Sequence, residues 1–158
     1  MKNLKHLLFL FLILGAFSCK KESSDTAKTT LQLLENKKWQ ISAISGTQNG
    51  VYYADMFSSQ PDYAKDDYYY FQDTFVWELN DNAVKQPGNV SPILDRGTWH
   101  LSVDNTNQSI LLSSNTPKTN GIDFAQFRIV SITDTALVVE NNDTQSGDIS
   151  TYSFTAIK

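Results

Sequence analysis

The chain has 158 residues, of which 13 are basic, 17 are acidic and 41% are hydrophobic. The first 18 residues have the character of an export signal. Removing them takes away Lys2 and Lys5 and leaves about 140 residues with 11 basic and 17 acidic side chains, enough for one domain with its own core. This acidic balance argues against a nucleic-acid partner. With Cys19 as the single cysteine and His100 as the single histidine after the signal, disulfide frameworks and cysteine–histidine zinc sites are excluded.

The amino terminus carries two lysines, an unbroken apolar run from Leu7 to Leu14, and small residues before Cys19. A membrane-spanning helix needs about 20 apolar residues, so this shorter run is typical of a secretory signal instead. The predicted organisation is a signal peptide over 1–18, a polar tether over 19–28 and a folded domain over 29–158.

The segment from Ala16 to Cys19 resembles the lipobox of bacterial lipoproteins, in which the cysteine becomes the first mature residue and carries the lipid. The resemblance implies that Cys19 is the lipid attachment site and that the membrane is a partner. An ordinary signal peptide followed by a chance cysteine is the alternative. Lys20 in place of an aspartate resembles lipoproteins sent to the outer membrane. The expected location is therefore the cell envelope, with the outer membrane favoured and the exposed face left open.

Threonines 29 and 30 before the apolar residues 31, 33 and 34 predict a short helix. From Trp39 onward apolar and polar residues alternate, which predicts strands. A phase slip between Phe124 and Phe127 predicts a bulge at Ala125-Gln126. Eight strands result, joined by seven connections over 46–67, 72–74, 81–95, 104–108, 114–121, 133–136 and 142–148.

Long and short connections alternate along this series. In an up-and-down meander, alternate loops lie at opposite ends, so every long loop falls at one mouth and every tight hairpin at the other end. The sequence therefore predicts an all-β, antiparallel, up-and-down eight-stranded β-barrel with a short N-terminal helix at its closed end. A sandwich or an open meander is the alternative.

Four segments resemble the lipocalin-like domain of bacterial lipoproteins, with a match that extends over residues 31–158. The segments are Leu33 to Ile41, Phe71 to Phe75, Gly97 to Leu101, and Phe127 to Ile132 followed by Leu137 to Val139. Lys37 and Thr74 occupy positions where that family has glycine. Lys158 is the only cation near the carboxyl terminus, where lipocalins carry an arginine that stacks on the first tryptophan, here Trp39.

Aromatic residues are the most prominent candidates for ligand binding. Six of the seven tyrosines fall in or just after the 46–67 connection, where Tyr52 and Tyr53 are expected either to contact a ligand or partner or to seal the mouth. Strand parity predicts four inward side chains nearer the mouth than the base, which form a filled core or line a narrow pocket. They are Tyr69, Trp77, Trp99 and Phe124.

Catalytic chemistry has little support in this chain. The loop carboxylates Asp55, Asp62, Asp66 and Asp67 match no calcium-loop spacing and are interpreted as solvated charge, and His100 as a surface residue. No metal or cofactor is expected. The predicted function is a lipid-anchored envelope protein that is not an enzyme and binds a small apolar or saccharide ligand at its mouth. The alternative is an interaction protein with a filled barrel, whose loops dock another envelope protein.

Overall fold

The computed structural model describes residues 28–115 and 124–158, which form two short helices and nine strands. The signal, Cys19 and nearly all of the tether lie outside the described residues. The helices are α1 (Thr30–Leu34) and α2 (Asp62–Lys65). The strands are β1 (Lys37–Gln48), β2 (Val51–Tyr53), β3 (Tyr68–Phe71), β4 (Val76–Asn80), β5 (Ile93–Asp104), β6 (Asn107–Ser114), β7 (Phe124–Ile132), β8 (Ala136–Asn142) and β9 (Ile149–Ile157).

Eight of these strands close into an antiparallel barrel. From β3 to β9 each strand pairs with the next in sequence, and β1 closes the ring by pairing with both β3 and β9. The predicted eight-stranded up-and-down barrel is confirmed. The ninth strand, β2, was not predicted: it folds back on the end of β1 in a hairpin within the 46–67 connection, which also contains α2.

Helix α1 lies at the closed end, which we call the base. Thr29 caps it, and the side chains of Thr29 and Gln32 each accept a hydrogen bond from the backbone N–H of the other residue, as in a capping box. The Asn36 N–H donates to the Phe71 carbonyl oxygen at 2.6 Å. Since Lys37 also bonds to Asp134, the helix and the short connections after β3 and β7 meet at this end.

The long connections meet at the opposite end, the mouth. Asp66 Oδ2 accepts hydrogen bonds from the N–H groups of Ala83 and Val84 at 2.8 and 2.9 Å, which joins the loop before β3 to the loop after β4. The Asp148 carboxylate accepts from the N–H groups of Asn49 and Gly50 at 3.0 and 3.3 Å. The predicted segregation of loop lengths is therefore confirmed for the described residues.

All three tryptophans point inward, and each indole N–H has a partner. Trp39 donates to the Leu34 carbonyl at 3.1 Å, and Trp77 donates to Ser113 near the mouth end of β6 at 3.1 Å. Trp99 is fully buried and donates to the carbonyl of Gln72 at 3.0 Å, in the hairpin at the base. The prediction that Trp99 lies nearer the mouth is wrong, because β5 has already descended to the base at this residue.

The predicted bulge at Ala125-Gln126 is also wrong. Pairing between β6 and β7 runs without a shift from Ser113 opposite Phe124 to Ser109 opposite Arg128. The extra residue of β7 is Val130, where the pairing with β8 shifts. This register places Ala125 and Phe127 opposite the inward residues of β6, while the side chain of Phe124 lies outside the described residues.

Candidate functional site

The barrel interior contains a cavity of about 90 Å³. It is smaller than the roughly 150 Å³ apolar cavity that holds a benzene molecule, so it suits a short hydrocarbon segment. Ten side chains from six strands line it, and eight of them carry only hydrocarbon. The lining comprises Ile41, Tyr69, Phe71, Ile110, Leu112, Phe127, Leu137, Val139, Tyr152 and Phe154.

Strand alternation brings these side chains inside, and packing between rings fixes two of the walls. The Tyr69 and Phe154 rings meet edge to face with centroids 5.9 Å apart, and the Phe127 and Tyr152 rings do so at 5.8 Å. Edge-to-face pairs of this kind are favoured by the ring quadrupoles. The cavity is thus bounded by aromatic rings whose orientation is set by one another.

Among the described residues of this lining, the hydroxyls of Tyr69 and Tyr152 are the only polar side-chain atoms. Neither makes a hydrogen bond to any of the residues that the structure describes. Burial raises the pKa of Tyr69 to about 12, and the charges of Tyr152, Asp95 and Asp67 add to the effect. Tyr69 therefore stays a neutral phenol, able to donate one hydrogen bond and accept another at physiological pH.

A group of carboxylates surrounds the start of β3 on the mouth side of the cavity. Burial, followed by the nearby charges of Asp81 and Asp66, raises the pKa of Asp67 to about 6, although the Asn82 backbone N–H and Lys85 oppose the shift. One carboxylate oxygen of Asp66 and one of Asp67 are buried without a hydrogen-bond partner in the described part of the chain. Asp81 is itself almost fully buried and shapes the loop after β4 by accepting from Asn89 Nδ2 at 3.0 Å.

The predicted site residues fall into separate places. Tyr69 lines the cavity. Trp77 packs on Tyr69, with the two ring centroids 6.1 Å apart. Trp99 belongs to the packed core at the base. Tyr52 and Tyr53 stand on β2, 66% and 45% exposed, and do not line the cavity. Cys19 and the Phe124 side chain lie outside the described residues.

Four lining residues with aromatic rings were not among the predicted site residues: Phe71, Phe127, Tyr152 and Phe154. The same alternation that predicted β9 places Tyr152 and Phe154 on its apolar face, so the signal was present. What the sequence lacked was a reason to choose these rings over those of the long loop. That choice depends on which inward side chains leave space between them.

Within residues 28–115 and 124–158, no three His, Cys, Asp or Glu side chains are grouped closely enough to hold a metal ion. No helix in the same residues has the length and apolar character needed to cross a membrane. Comparison of the chain with protein-family models and with curated proteins returns no match.

Proposed function

We propose that this chain is a lipid-anchored binding protein of the cell envelope whose barrel takes the apolar part of a small molecule into its central cavity. The observation that carries the proposal is the cavity itself. Protein interiors are close-packed, and a space of about 90 Å³ bounded by aromatic rings is one that larger side chains at a few positions would have filled. The two unpartnered phenol groups offer the ligand a point of attachment.

The lining favours an apolar ligand over a saccharide. A sugar carries hydroxyls on every face, and burying a hydroxyl without a partner costs roughly 1–3 kcal/mol on the scale of protein mutants. The described lining offers the Tyr69 and Tyr152 hydroxyls, and no other polar side-chain atom, against this cost. A ligand that enters therefore does so with its hydrocarbon portion.

A cavity-filling substitution tests the proposal. Ile41 lines the cavity from β1, whereas Val103 on β5 is 62% exposed and does not line it. We expect hexan-1-ol to change the tryptophan fluorescence of the full-length protein, since Trp77 packs on Tyr69. Ile41→Phe should weaken hexan-1-ol binding at least about tenfold, and Val103→Phe, the control at an exposed strand position, should leave it unchanged. Equal binding by Ile41→Phe and the wild type would exclude the cavity as the site.

The anchor rests on the lipobox-like segment that ends at Cys19. With the anchor in place, the tether leaves the barrel from its base, so the mouth faces away from the membrane. We expect the wild type to incorporate radioactive palmitate and Cys19→Ala to move into the soluble fraction. Equal membrane association of both forms would refute lipid attachment.

A docking role is a second candidate, and the β2 hairpin favours it. Val51, Tyr52 and Tyr53 are all exposed there, which places apolar and aromatic surface where it seals nothing. In this case another envelope protein should co-purify with the wild type from its own host. The Tyr52→Ala, Tyr53→Ala double variant should lose that protein while keeping hexan-1-ol binding.

A further inference from the structure

The proposed ligand has to keep part of itself outside the cavity, on the mouth side. At the base, Leu34, Trp39 and Trp99 are fully buried and belong to the packed core. The cavity is large enough only for a short apolar segment. Any polar head group on such a molecule is therefore placed between the cavity and the mouth.

Carboxylates occupy that region. Tyr69 pairs with Leu79 and Leu79 pairs with Asp95, so these three residues share the inner face at one height of the barrel. The Asp95 carboxylate accepts the Ser114 hydroxyl at 2.7 Å. Asp67 lies two residues before Tyr69 on the mouth side, and its charge and that of Asp95 both act on the Tyr69 hydroxyl. Lys85, which donates to the Asp81 carbonyl oxygen at 2.7 Å, offsets part of the charge on Asp67. A head group beside Tyr69 therefore meets the carboxylates of Asp67 and Asp95.

Two carboxylate oxygens in the same region lack a donor. Asp66 Oδ1 and Asp67 Oδ1 are both buried and have no hydrogen-bond partner among the described residues. A buried carboxylate oxygen without a donor is costly, so a ligand that brings N–H groups would relieve the cost. The faces of the surrounding rings also attract a cation.

From this geometry we infer that the ligand of the proposed site is an amphiphile with a short hydrocarbon segment and a positively charged amine head. The hydrocarbon fills the cavity between Tyr69 and Tyr152. The ammonium donates to Asp67 and lies against the ring of Tyr69. The same carboxylates repel a fatty-acid head group, so the site discriminates against carboxylates of the same chain length.

Three six-carbon probes with different head groups test the inference, which rests on the proposed cavity site. Hexylamine, hexan-1-ol and hexanoate are titrated into the full-length protein at about pH 8, where the amine is protonated and the acid ionised. We expect hexylamine to bind at least about tenfold more tightly than hexanoate, with hexan-1-ol between them. Asp67→Asn should reduce the hexylamine-to-hexanoate affinity ratio at least about threefold.

Asp62→Asn is the matched control, because the Asp62 side chain is 87% exposed and pairs with Lys65. It should keep the wild-type ratio. Hexanoate binding as tight as hexylamine, or an unchanged ratio in Asp67→Asn, would overturn the charge preference. Even then, the proposal that the cavity binds a ligand is retained if the wild type binds hexan-1-ol and Ile41→Phe abolishes this binding. Failure of all three probes to bind would overturn both proposals.

Discussion

The Lys37 ammonium lies 5.6 Å from the centre of the Trp39 ring. Lys37 also donates to the Asp134 backbone oxygen at 3.1 Å and lies 3.0 Å from a carboxylate oxygen of the same residue. Hydrogen bonds from Lys28 and from Lys37 hold the pKa of Asp134 below its usual value. Lys37 thus supplies a cation beside Trp39 and links the start of β1 to the connection after β7.

We predict that Lys37→Met lowers the free energy of unfolding by about 1 kcal/mol, because it removes both the cation–π contact and the hydrogen bonds to Asp134. Lys28 pairs with the same carboxylate but is 54% exposed. Lys28→Met should therefore cost less than about 0.5 kcal/mol. Urea denaturation of the two variants measures the difference, and equal losses would contradict the role of the Trp39 contact.

Phe75 adopts a left-handed backbone conformation, with φ of 60°, in the hairpin before β4. A side chain costs about 1 kcal/mol there relative to glycine. We predict that Phe75→Gly is more stable than Phe75→Ala by about that amount, since both lose the ring contact with Trp99. The neighbouring Thr74 does not have a positive φ, so Thr74→Gly should be no more stable than Thr74→Ala. Thermal unfolding of the four variants checks the prediction.

The buried carboxylate of Asp67 is expected to make the protein less stable as the pH rises, whereas a carboxylate in an ion pair makes a protein more stable. The pKa of Asp67 rises from 3.8 to about 6 on folding, so between about pH 4 and pH 6 the folded state binds more protons than the unfolded state. Stability therefore falls as the pH rises through this window and stays reduced above it. Asp67→Asn should gain about 1 kcal/mol over the wild type at neutral pH, after allowance for solvent screening, and nothing below about pH 4. Urea denaturation at a series of pH values measures this difference, and a gain that does not vary with pH would contradict it.

The exposed hairpin tyrosines should matter little for stability. Because Tyr52 and Tyr53 do not belong to the core, their double replacement by alanine is expected to change the free energy of unfolding by less than about 0.5 kcal/mol for each residue. The measurement is the melting temperature of the double variant beside that of Tyr69→Ala, which should fall by several degrees. A comparable fall in both would show that the tyrosines of β2 cover the core.

The barrel could be predicted from the sequence because strand alternation and loop length report directly on parity and on which end a connection occupies. Tyr69, Trp77 and Trp99 were assigned inward for this reason. The pairing of each strand from β3 to β9 with the next could be predicted from strand alternation and loop length alone.

Two features could not be predicted from the alternation of apolar and polar residues. Phe75 continues the alternation of Trp77 and Leu79 and was expected in the strand, but the hairpin geometry turns it out to 44% exposure. The cavity could not be located either, because its position depends on the space that Tyr69, Tyr152 and their neighbours leave. Such space follows from side-chain packing in three dimensions and not from the order of apolar residues.

The pairing of Lys38 with Ile157 joins the first residues of the barrel to the last. Closing that seam brings together positions separated by most of the chain, so the contact has a large loop-closure entropy and belongs to the slow, high-contact-order class of folding events. During synthesis, the barrel cannot close until β9 has emerged. Loss of the whole of β9 would reopen the seam and expose the edges of β1 and β8, a state prone to aggregation.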